Sequence, residues 1–315
     1  MEHCSRRRFL IAGAGIAGIG FSGWLAWAKS RGLSPVTRSS HALGTKVSIT
    51  AVHERPQTAH AAIDAAFAAI DRVEDVMSLY RPTSQLCALN RDGIVRDPDP
   101  SLVQVLVKAS ELSERSDGAF DVTVQPLWNS SDPDAALKLV DWHGVKISRR
   151  EIRLARPGMA VTLNGIAQGF ATDEAMAALK SLGVEHALVN AGELGGLGHK
   201  EDGTPWTVGI QHPRREDAWI ELTRLADGRR LATSGDYRPQ QHIFDPKTGR
   251  APEAFSSVSI IARTGLEADG LSTAVFVAGL ERGAELVART PGADAFFVLK
   301  NGRTLVTPGF PRVDA

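Results

Sequence analysis

In the stretch ADGLST, Ala268 to Thr273, an aspartate, a serine and a threonine stand at the head of an apolar run that continues AVFVAGL. Asp269 and Thr273 are four residues apart, so on a helix their oxygens share one face while Ala274, Phe276 and Val277 help fill a core. A carboxylate and a hydroxyl aimed together out of an apolar wall suit a small hard cation. Mg2+ takes oxygen ligands, keeps some water and shares its sphere with a substrate phosphate, so two protein side chains suffice. The same spacing suits a plainer arrangement, in which Asp269 caps the helix and Thr273 bonds back to a carbonyl.

Three further islands carry chemistry-bearing residues. In VTLNGIAQGFATDEA, Val161 to Ala175, the residues Gly165, Ala167 and Gly169 put bare backbone just ahead of a helix. A diphosphate can approach amides and a positive helix end closely there, although short side chains also make simple turns. NAGELGGLG, Asn190 to Gly198, follows the apolar strand HALV and either bounds a cleft or forms a loop. ATSGDYRPQQHIFDPKTGRAP crowds Ser234, Asp236, Tyr237, His242 and Asp245 around a strand and a turn. The unperturbed pKa of a histidine lies near working pH, so His242 fits a general base or a phosphate partner as well as a hydrogen-bonded structural residue. Tyr80 in MSLYRPTSQLCALN and Phe120 in SDGAFDVTV join an aromatic ring to polar turn residues, an arrangement that holds a flat heterocycle or packs a rim.

The elements that must position these groups are of both kinds. TKVSITAV (45–52) alternates as a strand, and Ile63, Phe67, Ile70, Val73 and Met77 recur at helical spacing. Ser101 reads as the cap of a second helix bearing Leu102, Val105, Leu106, Ala109 and Leu112, and ATDEAMAALKSLG makes a third that ends at Gly183. Hairpins are expected in GVKISRREIRLA, in ELTRLADGRRLATSG with its turn at Asp227-Gly228, and in AFFVLKNGRTLVTPG with its turn at Asn301-Gly302. Hairpins this frequent imply antiparallel sheets with helices on their faces, an α+β fold and not a doubly wound one. SSDPDAALKL (130–139) is the most linker-like piece.

Lysine plus arginine equals aspartate plus glutamate at 36 each, so no overall field draws the chain to nucleic acid or to an acidic surface. The N-terminus is a different kind of segment. Ser5, Arg6, Arg7, Phe9 and Leu10 stand in the order of a twin-arginine export signal, followed by an uncharged run from Phe9 to Ala28. Ala26 and Ala28 flank Trp27 as a signal peptidase requires. Residues 1–28 are therefore expected to be removed, the alternative being an uncleaved anchor because a 20-residue apolar span is long enough to cross a bilayer, and one domain, 29–315, is expected on the periplasmic side. Gly13, Gly15 and Gly18 spell a dinucleotide fingerprint, but no strand precedes them and position 38 is an arginine, which excludes a Rossmann site. Cys4 leaves with the signal and Cys87 remains alone, so the fold rests on its core and not on an internal disulfide.

Taken in order, LGT, MSLYRPTSQLCALN, SDGAFDVTVQPL, GIAQGFATD, ALVNAGE, WTVGIQHP, ATSGDYRP with HIFDPKTG, and EADGLSTAVFVAGL resemble the motifs of the FAD:protein FMN transferases, the ApbE-like family, over nearly the whole mature chain. The resemblance implies a T-fold-related α+β domain. It also implies a Mg2+-dependent reaction in which FAD is the substrate, FMN passes through a phosphoester to a threonine or serine of an acceptor protein, and AMP is released. By that resemblance Asp269 and Thr273 are the Mg2+ ligands, with a main-chain oxygen near Gly165. Leu43, Tyr80, Ala119, Phe120, Asp121, Thr162, Gln168, His242 and Ile243 line the FAD pocket, and His242 positions or deprotonates the acceptor hydroxyl.

The chain departs from the family pattern at several positions. Thr162 and Gln168 stand where an aspartate and a lysine are usual, Leu43 replaces a methionine, Cys87 stands where a serine is common, and Glu193 follows Gly192 directly, without the usual second glycine-aspartate pair. These departures and the export signal resemble the nitrous oxide reductase maturation (NosX-like) branch, whose acceptor is a membrane flavoprotein. A hydrolase splitting FAD with water, or a non-catalytic flavin carrier or assembly factor, are the alternatives that Thr162 and Gln168 leave open.

Overall fold

Strands β1 (Ser34–Ala42) and β2 (Thr45–His53) pair antiparallel in unbroken register, from Ser34 opposite His53 to Ala42 opposite Thr45. Their turn holds Leu43 at φ 52° and Gly44 at φ 70°, consecutive left-handed residues as a tight hairpin needs. The computed structural model describes residues 32–128, 130–226, 228–237 and 242–313. The expected export signal and its cleavage point after Ala28 lie outside the described residues.

Helix α1 (Pro56–Met77) begins with proline at its first turn, where a missing N–H costs nothing. It buries Ala59, Ala62, Ile63, Ala66, Ala69, Ile70, Val73 and Met77, an apolar stripe with enough alanine for close helix packing. After α2 (Gln85–Asp92) and β3 (Ile94–Arg96) comes α3 (Pro100–Arg115), which buries Leu102, Val105, Leu106, Ala109 and Leu112. Its cap is Asp99, whose carboxylate accepts from both the amide and the hydroxyl of Ser101 at 2.8 and 2.6 Å. The aspartate displaces the expected Ser101 because Pro100 takes the first helical position and leaves Ser101 inside the turn.

A 3-10 turn (Val122–Trp128) and the short helix α4 (Pro133–Leu137) follow. The expected linker at 130–139 is thus a capped turn of helix: Asp132 accepts from the Ala135 amide, and Ala136 packs with Leu127 and Phe244. Strands β4 (Val145–Ile147) and β5 (Glu151–Leu154) form the expected hairpin and join β3 in a three-stranded sheet, order β3-β5-β4.

Helix α5 (Ala167–Ser181) starts earlier than its pattern suggests, so Gly169 lies inside its first turn and not ahead of it. The strands β6 (His186–Asn190) and β7 (Leu194–Leu197) make a hairpin whose turn carries Gly192 at φ 99°. Strands β8 (Trp206–Gln211) and β9 (Trp219–Leu225) form a two-stranded sheet of their own, whereas β10 (Arg230–Gly235) pairs with β7 and β11 (Phe255–Ala262). The expected hairpin across residue 228 is therefore absent. Leu231 through Gly235 are all buried, so β10 needs cover on both faces, and β9 supplies it by lying over the sheet with Leu225 in the same cluster as Leu231.

Helices α6 (Gly265–Ala278) and α7 (Leu280–Ala288) precede the hairpin of β12 (Asp294–Leu299) and β13 (Thr304–Val306). In that turn only Gly302 takes positive φ, at 83°. The Gly302 amide donates to Leu299 O and the Leu299 amide to Arg303 O, so Asn301 does not need the left-handed conformation expected of it. The large sheet runs β1-β2-β6-β7-β10-β11-β12-β13 and every pair is antiparallel. Helices α1, α5 and α6 cover one face and β8–β9 the other, so all eight residues of β11 are buried. No helix among the described residues is long and apolar enough to cross a membrane.

Helices α5 and α6 cross at their first turns with backbone against backbone. A Cβ at Gly169 would stand 2.0 Å from the Gly265 carbonyl oxygen, and one at Gly265 would stand 2.3 Å from that of Gly169. Each helix also caps the other. Asp269 of α6 accepts the Gly169 amide at 2.9 Å, while Asp173 of α5 accepts the Gly265 and Leu266 amides at 2.9 and 3.0 Å and the Arg230 guanidinium at 2.9 Å.

Replacing a helical glycine by alanine ordinarily gains up to about 1 kcal/mol. Here the added methyl has to push two helices apart. Gly169→Ala is expected to lose at least about 2 kcal/mol and to lower Tm by about 4 °C or more, read by thermal denaturation; an unchanged or raised Tm would contradict the crossing.

Candidate functional site

A cavity of about 410 Å³ opens beside this crossing, within the size range of small-molecule and cofactor sites. The twelve residues expected to bind FAD or Mg2+ lie on its wall, as does Ser234, whereas Asp236, Tyr237 and Asp245 of the same crowded segment, and Gly169, do not. Leu43 comes from the β1–β2 turn, Tyr80 from the link after α1, and Ala119, Phe120 and Asp121 from the loop after α3. Thr162 and Gly165 come from the approach to α5 and Gln168 from its first turn, His242 and Ile243 from the segment after β10, and Asp269 and Thr273 from α6.

Helix α6 is buried nearly all round, so its polar groups must find partners inside. Asp269 is 4% exposed. Ile166, at the N-cap of α5, offers no side-chain acceptor, and the Asp269 carboxylate takes that place for the third amide of the helix. The aspartate is therefore a cap, but of the neighbouring helix; its own helix is capped by Thr264, which accepts from the Glu267 amide at 3.2 Å. Thr273 likewise does not bond back along the helix. Ser272 does so, donating to Asp269 O at 2.9 Å, while the Thr273 hydroxyl lies 3.0 Å from the Ser234 hydroxyl, itself 2.8 Å from that of Ser272.

The main chain at Gly165 completes this corner. A Cβ there would meet the Thr273 hydroxyl at 2.9 Å and the Phe120 ring at 3.5 Å, so only a bare α-carbon leaves the hydroxyl and the backbone side by side. Asp269, Thr273, Ser234 and the Gly165 main chain offer oxygen donors on the cavity wall, the chemistry of a hard divalent cation site. Among the described residues no group of three His, Cys, Asp or Glu side chains is placed to hold a metal.

On the opposite lip, Leu43 is held in its left-handed conformation from both sides. Its amide donates to Glu74 at 3.1 Å, and its carbonyl accepts from Gln168 at 3.3 Å. Glu74 is anchored by Arg81 at 2.7 Å, which also binds Asp71 at 2.6 Å and contacts Asp75. The Asp71 carboxylate leads the causes that hold the Arg81 guanidinium above its ordinary range, so it stays charged. Tyr80, next to this arginine, is 73% exposed and stands at the mouth with its ring free to cover a ligand. Gln168 also packs over Gly192, where a Cβ would fall 2.7 Å from its amide carbon.

Several wall residues had no sequence signal strong enough to select them. Glu193 is 3% exposed and accepts the Thr233 amide at 3.1 Å, adding a third buried carboxylate to the cavity wall beside Asp269 and Asp121. Ser234 was visible only as one of a crowd. Trp128 and Phe244, with ring centroids 6.4 Å apart, close the apolar end. Asp173, which lies off the wall and accepts the first amides of α6, looks in sequence like any surface acid on a helix.

The chain from residue 43 to 297 matches the model of the ApbE family. It is 31% identical to the FAD:protein FMN transferase of Treponema pallidum, the match covering 87% of each chain. It is 30% identical to the Haemophilus influenzae protein of the same name, over 82% of this chain and 83% of that one. Among solved structures it resembles the flavin transferase ApbE from Vibrio cholerae, with a TM-score of 0.79 and 26% identity over 88% of this chain and 98% of that one. It also resembles the Pseudomonas stutzeri flavinyl transferase ApbE in its apo form, with a TM-score of 0.77 and 32% identity over 88% and 95%.

Asp121 provides a pH test of the cavity wall. Burial pushes its carboxyl above the ordinary carboxylate value, against hydrogen bonds from Thr123 and Trp142 that favour the charged form. With the folded value above the unfolded one, its contribution to stability is greatest below pH 3.8, the ordinary value, and is lost as pH rises through the folded value. Asp121→Asn keeps an acceptor for Thr123 and cannot ionise. Its stability relative to wild type is expected to improve as pH rises through the acidic range, read by urea denaturation at a series of pH values; parallel curves would contradict the assigned burial.

Proposed function

The chain belongs to the ApbE family, and from that premise we propose that it is a Mg2+-dependent FAD:protein FMN transferase. In this reaction a threonine or serine oxygen of the acceptor bonds to the phosphorus on the FMN side of FAD. The bridging P–O bond breaks, its electron pair leaves on AMP, and the hydroxyl proton passes to a base. The observation that carries the reading is the meeting of Asp269, Thr273 and the Gly165 main chain at one corner of the cavity.

The residues present fit Mg2+: all are hard oxygen donors, and the missing Cβ at Gly165 leaves their hydroxyl and backbone groups in contact. Asp269, Thr273 and a Gly165 main-chain oxygen would hold the ion. When bound, it neutralises charge on the phosphate oxygens as the bridging bond breaks.

The chain's own groups do the rest. The first turn of α5 presents its positive end toward the cavity, an attractive setting for a diphosphate. Ser234 and Ser272 fix the Thr273 hydroxyl. Tyr80 and Phe120 offer ring surface for a flat heterocycle, and the Gln168 bond to Leu43 shapes the entry. His242 lies on the same wall and is assigned to position the acceptor hydroxyl or receive its proton. The twin-arginine pattern from Ser5 to Leu10 supports action in the periplasm, with a membrane-associated redox protein as acceptor.

Because Asp269 also caps α5, two substitutions separate its roles. Asp269→Asn keeps an oxygen acceptor for the Gly169 amide but loses the charge, and is expected to melt close to wild type while FMN transfer falls about a hundredfold or more. Asp269→Ala is expected to lose both activity and about 1 kcal/mol or more of stability. The assay is mass spectrometry of an acceptor peptide incubated with FAD and Mg2+, and full transfer by Asp269→Asn would overturn the site. Release of AMP without acceptor at the same rate would favour a hydrolase, and intact FAD with acceptor present would favour a carrier.

A further inference from the structure

Equal numbers of basic and acidic residues give the chain no net field, yet the fold does not spread them evenly. In the three-stranded sheet, Val95, Ile152 and Ile147 share the inner face, while Arg96, Lys146, Glu151 and Arg153 point outward. The β4–β5 turn adds Arg149 and Arg150, and Arg156 follows β5; all six cations are exposed. Only two of them are paired with a carboxylate among the described residues, Arg153 with Glu151 and Arg156 with Asp141. Arg96, Arg149 and Arg150 project without an ion pair. The half-exposed Trp142 leads into β4 at the border of this face, its ring stacked on the exposed His143 at 3.7 Å.

We propose that this arginine-rich face docks the protein onto an anionic phospholipid surface. A flat array of guanidinium groups on short strands meets a layer of lipid phosphates without needing a groove, and tryptophan favours the headgroup region. An apolar run of 20 residues from Phe9 to Ala28 brings the chain to a bilayer during export. The chain runs on from the end of β5 at Leu154 through residues 155–161 to Thr162 on the cavity wall, so docking would hold the cavity near acceptors in the same membrane. The docking surface itself stands on charge and geometry apart from the proposed transferase activity.

The test is sedimentation of the full chain with vesicles of phosphatidylglycerol and phosphatidylcholine in equal parts, and with vesicles of phosphatidylcholine alone. The wild-type chain is expected to favour the anionic vesicles and to lose that preference as salt is raised to about 0.5 M. The triple variant Arg96→Ser, Arg149→Ser, Arg150→Ser is expected to bind anionic vesicles about a hundredfold more weakly. The N-terminal arginines are the same in both chains, so the difference isolates the sheet. Transfer of FMN to a soluble acceptor peptide is expected to be unchanged in the variant, which shows it folded and keeps the outcome independent of the transferase assignment. Equal binding of both chains to anionic vesicles would overturn the proposal. So would a wild-type chain that ignores both vesicle types but is retained by an acidic protein segment.

Discussion

The contact on which the site depends is the crossing of α5 and α6 at Gly169 and Gly265. Two helix N-termini meet there so closely that neither position can carry a side chain. Their unsatisfied amides are answered from across the contact, by Asp269 in one direction and Asp173 in the other. A buried carboxylate is costly unless hydrogen-bonded, and a buried helix start is costly unless capped; each deficit here is met by the other helix. The arrangement fixes Asp269 in place before any ligand arrives, and fixes Thr273 one turn further along the same face.

From that corner the remaining wall follows. Ser234 on β10 reaches the helix hydroxyls, Arg230 on the same strand binds Asp173, and the sheet and the helix pair thus share one register. The opposite lip is organised by a separate network, in which Arg81 holds Glu74, Glu74 holds the strained Leu43 turn, and Gln168 ties that turn back to α5. A lysine at position 168 would extend a charge into the cavity; the glutamine spends its amide on the Leu43 carbonyl instead.

What was legible in the sequence was local. The four-residue spacing of Asp269 and Thr273 needs only the geometry of one helix, and the alternation of 45–52 needs only one strand. The motif order carried the rest of the cavity, because matched islands keep their places in a shared fold even when no spacing argument connects them. Interactions between distant segments were not legible. The residues that Asp269 and Asp173 cap are 100 and 92 positions away, and the Arg230 pair spans 57. The strands flanking Gly228 misled for a similar reason: turn chemistry is local, whereas the demand that β10 be covered on both faces is set by the whole sheet. The cap of α3 moved from Ser101 to Asp99 on the strength of one proline.

The central claim is that the helix crossing builds a cation and diphosphate seat at Asp269. Anomalous diffraction from a crystal of the protein grown with FAD and Mn2+, a stand-in for Mg2+ that scatters anomalously, tests it most directly. The account predicts a peak bound by the Asp269 carboxylate and the Thr273 hydroxyl, with the FAD diphosphate against it at the start of α5. A peak held by other residues, or a diphosphate seated away from α5, would contradict it.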